Sequence, residues 1–270
     1  MRILYHKRVY ISTQMPWCLF AVSVRLLNPN YTGKCMNVRR DIDNTYKDIG
    51  FKNGILDTDD LLDFVGAGSG YIRRWYDQSG NGWNWVSTLW GSRQPRIVNL
   101  GVVHEKNGNP TVNFTGTQYF EMAFSKTVPS EISIFTAAEL TSTRATRLLN
   151  NNFYMLLGSD TSQQIRSFYG DGSSWGESTA NSTETWLNKF RLVTSINNGY
   201  DNQFIDGQTI TPRKNPMTSF TGEIAVTIFP PSYFSEPWNG NVSEVIIYGE
   251  SKLGTRNMIE SNINRFFHIY

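Results

Sequence analysis

The sequence predicts an all-β protein built as a sandwich, and three observations carry that prediction. Short runs rich in β-branched and aromatic residues recur from about residue 71 to residue 248, divided by Gly, Asn, Pro or Ser clusters. Helical periodicity is confined to brief stretches at 17–27, 57–66 and the C-terminus. Asp206-Gly207, flanked by Ile205 and Ile210, signals a tight hairpin because both residues tolerate positive φ. Many short strands with few helices favour packed antiparallel sheets over a βαβ arrangement.

In chain order, residues 1–16 read as an N-terminal arm, in which Ile3, Tyr5, Val9 and Ile11 alternate enough for one short strand. Residues 17–27 are expected to be helical, with Cys18, Ala21, Val22 and Arg25 on one face and Asn28-Pro29-Asn30 ending the run. A second helix is signalled by Asp57 as N-cap, first-turn acids Asp59 and Asp60, apolar Leu61, Leu62, Phe64 and Val65, and Gly66 as stop. Strands are expected at 111–114, 132–138, 154–157, 164–169, 190–196, 203–205, 224–229 and 242–248. A closing helix starts at Thr255 and buries Met258, Ile259, Ile263, Phe266 and Phe267. No repeat or linker interrupts the chain, so the expected division is an arm, 1–16, and one domain, 17–270.

Composition narrows the function classes. The chain has 270 residues, of which 25 are Lys or Arg and 23 Asp or Glu, for a net charge of +2. This balance gives no footprint for phosphate-dominated nucleic-acid binding. No apolar run approaches the roughly 20 residues that span a bilayer, so membrane insertion is not expected. Arg2, His6, Lys7 and Arg8 before Met15–Val22 imitate a signal peptide, but Trp17, Pro16 and the lack of a small-residue cleavage site argue against one. Without a secretory signal, the sequons at Asn30, Asn113, Asn181 and Asn241 carry little weight. Cys18 and Cys35 are expected as buried free thiols, and His6, His104 and His268 match no zinc-site spacing.

Several blocks resemble a known family. They are Ala21–Leu27, Tyr31-Thr32-Gly33, Val38-Arg39-Arg40, Asp48-Ile49-Gly50-Phe51 and, most specifically, Trp75-Tyr76-Asp77-Gln78-Ser79-Gly80-Asn81-Gly82. Together they resemble the opening of the arabinofuranosidase-B-type catalytic domain, a concanavalin A-like jelly roll, and similar domains in proteins of tailed bacteriophages. Trp238–Tyr248 resembles the last strand of laminin-G-like sandwiches, and Ile259–Asn264 the terminal helix of the phage proteins. The resemblance covers about 17–120 and 190–270. It implies a concanavalin A-like jelly-roll β-sandwich with short flanking helices.

The same resemblance implies where catalytic acids would stand. Retaining glycosidases need two carboxyl groups roughly 5 Å apart. In the family the nucleophile lies in an Asp-Met-Glu strand and the acid/base Asp in a Gly-Gly-Asp-Asn loop. The counterpart of the first, 164–171, offers only Asp171, and the counterpart of the second, 228–236, reads Pro230-Pro231-Ser232-Tyr233 with Glu236 at its end. Neither motif is recognisable, so no catalytic residue is assigned and a non-enzymatic role is expected, with an arabinofuranosidase-type glycoside hydrolase as the alternative.

Asp77 has two readings. It is either a turn residue, with Ser79, Asn81 and the permissive Gly80 and Gly82 around it, or a ligand to sugar or calcium. The turn is preferred; no cofactor is expected, and calcium is the one ion left open. Arg39, Arg40 and Asp43 read as a local ion-pair network. Loop-placed aromatics give the binding expectation, because sugar rings stack on aromatic faces. These are Trp83, Trp85, Trp90, Trp175, Tyr233 and Trp238. Phe114, Phe135, Phe190, Phe229, Tyr248 and Phe266 are expected in the core. The resemblance to the phage proteins implies a virion structural protein of a tailed phage, a head decoration, fibre or tail appendage located in the particle. Its expected partners are other virion proteins, host-surface polysaccharide and further copies of itself.

Overall fold

A computed structural model describes residues 18–87, 93–121, 126–127, 131–150, 155–170, 175–179, 185–210, 223–224 and 236–270. The N-terminal arm lies outside these residues. β1 (Cys18–Ser23) begins the described chain, followed by the hairpins β2 (Met36–Arg40) with β3 (Tyr46–Ile49) and β4 (Phe51–Lys52) with β5 (Ile55–Leu56). Helix α1 (Thr58–Val65) leads into β6 (Gly70–Trp75), β7 (Trp85–Val86), β8 (Arg96–Asn99) and β9 (Val102–Val103). A ribbon of β10 (Glu105–Lys106) and β11 (Asn109–Pro110) precedes β12 (Val112–Thr115), β13 (Lys126–Thr127) and β14 (Ile132–Leu140). A four-stranded meander follows: β15 (Thr146–Asn150), β16 (Met155–Ser159), β17 (Ile165–Gly170) and β18 (Trp175–Thr179). The chain closes with β19 (Phe190–Asn197), β20 (Asp201–Ile205), β21 (Gln208–Ile210), β22 (Glu223–Ile224), β23 (Asn239–Tyr248) and α2 (Arg256–Phe267).

The main sheet has 13 strands, ordered β21-β20-β19-β14-β23-β12-β8-β6-β2-β3 along its path, with β1 beside β23, β7 beside β6 and β9 beside β8. Its pairings are antiparallel. Along that path β1 and β7 are several strands apart, yet Phe20 of β1 meets Trp85 of β7 with ring centroids 4.9 Å apart. The sheet therefore folds over on itself, and the molecule is an all-β sandwich. Val38, Ile72, Val112, Val242, Val245 and Ile247 line the inner face and are fully buried. Trp75, Trp85, Phe114 and Phe120 pack there with centroids 5.7–6.3 Å apart, in edge, tilted and stacked contacts.

The outer face has a smaller apolar layer under α2. Ala21, Ala137, Leu192 and Ile246 meet Ile259, Ile263, Phe266 and Phe267, which recur at the helical spacing that the sequence showed, whereas Met258, expected with them, faces solvent. Between these layers lies a buried charge pair. Arg25 donates from Nε to Glu244 Oε2 at 2.6 Å and from Nη2 to Glu244 Oε1 at 2.8 Å, with both side chains fully buried. Ser23 Oγ donates to Glu244 Oε2 and Arg25 Nη1 to Asn262 on α2, so the pair ties β1, β23 and α2 together. Phe266 and Phe267 lie within 5.7 Å of the guanidinium carbon.

Several elements stand as expected. α1 is capped by the Asp57 side chain on the Asp60 amide, and it ends at Gly66 with φ of 65°. Asp206 and Gly207 turn the β20–β21 hairpin with φ of 50° and 78°. Cys18 and Cys35 are free and buried, and burial pushes both thiols well up in pKa. Thr255 precedes α2 but forms no side-chain cap. The expected helix at 17–27 is corrected: Cys18–Ser23 is the strand β1. Its residues are buried on both faces, between the tryptophan core and α2, and an apolar run of that kind has no period that separates strand from helix. Strands β2 and β3 lie upstream of the region where strands were expected, because their alternation is interrupted by charged residues such as Arg39, Arg40 and Asp48. The expected strand at 224–229 falls largely outside the described residues, as does Phe229.

The buried pair sets a stability prediction. Arg25→Met leaves Glu244 buried without its guanidinium and should lower unfolding free energy by about 3–5 kcal/mol, whereas Arg25→Met combined with Glu244→Met should recover most of that loss. Chemical denaturation of the two variants measures the difference.

Candidate functional site

The block from Trp75 to Gly82 is the most specific part of the sequence, and its side chains turn inward. Asp77 is 3% exposed. Its Oδ1 accepts from the amides of Ala21 and Ser79, both at 2.9 Å, and its Oδ2 accepts from Ser79 Oγ at 2.7 Å and the Trp83 amide at 3.1 Å. Two hydrogen bonds on each oxygen fill the acceptor capacity of a carboxylate. Gln78 accepts from the Leu27 amide and donates to the carbonyls of Ser23 and Arg25. Asn81 donates to the carbonyls of Cys18 and Leu19. The block is a set of fasteners along the edge of β1, as the turn reading of Asp77 expects. Gly80 and Gly82 hold φ of 93° and 75°, which lets the chain double back over so short a span. Nearby, Arg40 forms the expected pair with Asp43, while Arg39 turns to Gln94 and Asn44.

The loop aromatics separate. Trp85 is fully buried and Trp238 is 3% exposed, so neither offers a ring face to a sugar in solvent. This corrects their assignment to binding loops. Trp85 sits on β7 against Trp75 and Phe120, and Trp238 packs edge-on to Trp186 at 5.0 Å just before β23. A Trp flanked by Asn, Gly and Pro reads as loop locally, although the long-range sheet contact buries it. Trp83 is half-buried against the core. Trp175 begins β18, opposite Gly170, and nothing is described of its side chain. Trp90 and Tyr233 lie outside the described residues, as does Asp171. Of the expected core residues, Phe114, Phe135, Tyr248 and Phe266 are buried and Phe190 is half-buried over Phe267.

Glu236 stands next to β15. Its Oε2 lies 2.8 Å from Arg147 Nε, and its carbonyl accepts from the Arg147 amide at 2.9 Å, so strand and side chain together fix the carboxylate. Glu236 keeps 29% side-chain exposure.

A second polar group was not singled out by the sequence. On the outer face, beyond the end of α2, cross-strand partners run Arg39, Tyr71, Arg96, Asn113, Asn241 and Glu139, over β2, β6, β8, β12, β23 and β14. Asn113 donates to Asn241 at 3.1 Å, and Asn241 donates to Glu139 at 2.6 Å. Lys106 of the β10 ribbon reaches Glu139 at 2.7 Å. Arg96 Nε donates to His104 Nε2 at 3.2 Å. Burial, and then the charge of Arg96, push the His104 pKa down to about 4, so the imidazole is a neutral acceptor at pH 7. Gly240 makes the row possible, since a Cβ there would lie 1.9 Å from the Glu139 carbonyl oxygen. The sequence named three of its members, each for another reason: Arg39 in an ion-pair network, and Asn113 and Asn241 as sequon residues.

No protein-family model and no curated protein matches the chain. Solved structures do. A GH54 α-L-arabinofuranosidase soaked with a cyclic sulfate inhibitor matches with a TM-score of 0.61 and 16% identity over 94% of this chain. An arabinofuranosidase complexed with arabinofuranosyl-α-1,2-xylobiose matches equally well. The chain spans 63% of the length of these proteins. A Trypanosoma rangeli sialidase matches 72% of the chain with a TM-score of 0.45. At this identity the arabinofuranosidase match establishes a shared fold. It also overturns the expectation of a non-enzymatic phage virion protein: the structures that this chain follows along nearly its whole length are glycosidases, and they favour the hydrolase alternative.

Two outcomes follow from this geometry. Asp77→Ala removes four hydrogen bonds and leaves buried amides unsatisfied, so it should lower unfolding free energy by about 2–5 kcal/mol with the loss shared by β1; a denaturant titration checks it. For His104, the unfolded imidazole titrates near 6.5 and the folded one near 4. As pH falls between those values the unfolded chain takes up a proton that the folded chain refuses, so stability declines in that window. His104→Gln should flatten that decline in unfolding measured across pH.

Proposed function

We propose that the chain is a glycoside hydrolase of arabinofuranosidase type, on a concanavalin A-like jelly roll, that removes arabinofuranosyl units from a glycan. The observation that carries this reading is the fold shared over 94% of the chain with an arabinofuranosidase complexed with arabinofuranosyl-α-1,2-xylobiose. The chemistry needs two carboxyl groups flanking the glycosidic bond, one of which attacks or activates water while the other protonates the leaving oxygen. The family's Asp-Met-Glu and Gly-Gly-Asp-Asn motifs are not recognisable here, so the acids nearest to their positions, Asp171 and Glu236, take these roles in the proposal.

Glu236 suits the charged role. Arg147 holds one of its oxygens at 2.8 Å, an arrangement that fits a carboxylate acting as nucleophile or base. This reverses the order that the resemblance implies, in which the counterpart of the nucleophile strand carries Asp171 and that of the acid/base loop ends in Glu236; Asp171 is then the proton donor. Trp83, Trp90, Trp175 and Tyr233 remain the aromatic candidates for stacking on the sugar, now that Trp85 and Trp238 belong to the core.

The test is release of arabinose from an arabinofuranosyl xylo-oligosaccharide and from 4-nitrophenyl α-L-arabinofuranoside. Wild-type protein should hydrolyse at least one of them, and Glu236→Gln and Asp171→Asn should each lower kcat by about 10²-fold or more without changing the unfolding midpoint. No turnover by wild type, or full turnover by both variants, would contradict the proposal.

A further inference from the structure

We propose that the polar row on the outer face is a binding shelf for a carboxylate-bearing sugar, with the Arg96 guanidinium as the group that takes the carboxylate. The inference goes beyond the hydrolase reading, since it concerns different residues and its test reads no hydrolysis. Arg96 is half-buried and points its Nε at a neutral imidazole. Arg25, Arg40, Arg147, Arg191 and Arg256 each face a carboxylate of the chain, whereas the half-buried Arg96, like Arg74 on β6, has no ion pair among the described residues. Glu139, the acid on the row, is already engaged by Lys106 and Asn241. Arg39, Arg96 and Lys106 against Glu139 leave the row positive, so its charge complements an anion.

The surroundings select a sugar acid over a bare ion. A guanidinium presents a planar fork that matches a carboxylate with two parallel hydrogen bonds. Asn113, the register partner of Arg96, brings an amide able to meet hydroxyl groups, and Tyr71, the partner on the other side, brings a half-buried aromatic ring that the Arg39 guanidinium covers on one face, 4.8 Å from its centroid. His104 keeps Arg96 in place without neutralising it. β-strands carry these groups, and their spacing is fixed by hydrogen-bonded register, so the shelf exists before any ligand arrives.

The experiment is a calorimetric titration of the full chain at low salt with trigalacturonate, a neutral trisaccharide of the same length, and inorganic sulfate. Trigalacturonate should bind about tenfold tighter than either of the others, the ratio expected when one charge-assisted bidentate contact is gained. Arg96→Gln should erase that preference, and Arg40→Gln, which alters an arginine already paired with Asp43, should leave it intact. If Arg96→Gln fails to fold, Arg96→Lys keeps the charge without the fork and should weaken trigalacturonate binding severalfold. The proposal fails if trigalacturonate does not bind, if the neutral sugar or sulfate binds as tightly, or if the folded Arg96 variant binds like wild type.

Discussion

Among the described residues, β1 is hydrogen-bonded to a strand on one side only. β23 pairs with it from Cys18 to Ser23, and the outward backbone groups of Leu19, Ala21 and Ser23 face away from that partner. Buried strand edges must be satisfied, because an unpaired amide or carbonyl away from water costs about as much as a lost hydrogen bond. The loop after β6 supplies what a further strand would have supplied. Asp77 and Gln78 together take the Ala21 amide and carbonyl, Ser79 and Asn81 take the Leu19 carbonyl, and Trp75 Nε1 and Gln78 take that of Ser23. The rest of the structure depends on this closure, since β1 separates the tryptophan core from the layer beneath α2 and carries the chain into the Arg25–Glu244 pair.

That dependence explains why the most recognisable block of the sequence belongs to architecture. Side chains that replace a strand must match backbone spacing, and few residue types do so: a carboxylate that accepts from four donors, a primary amide that donates and accepts at once, and glycines that permit the reversal. Such a block resembles a ligand site on paper because short polar side chains around glycines serve both ends. The distinction lies in where the atoms point, and here they point at β1. The chemistry proposed for the chain lies elsewhere, around Glu236 and on the outer row around Arg96.

Legibility followed the range of each interaction. α1 could be read because its cap, acids and apolar face lie within ten residues, and the Asp206-Gly207 hairpin because its turn is local. β1 was misread as helix because burial on both faces erases the alternation by which strands are recognised, and only the partner β23, some 220 residues away, decides the matter. Trp85 and Trp238 looked like loop residues for the same reason, as their burial comes from Phe120 and Trp186. The row from Arg39 to Glu139 was invisible, since it takes six strands in register to bring its members together. The functional expectation failed in a related way: absent motif letters argued against an enzyme, while the fold that those letters normally accompany proved to be shared over nearly the whole chain with arabinofuranosidases.

Native-state amide hydrogen exchange tests the central claim most directly. If the Trp75–Asn81 block closes the edge of β1, the amides of Ala21 and Leu27, whose acceptors are Asp77 and Gln78, exchange only through global unfolding, with protection equal to that of the β14–β23 pairing. Exchange of those two amides orders of magnitude faster than in β14, under conditions where the sandwich stays folded, would show that β1 is held without the block and would contradict the account.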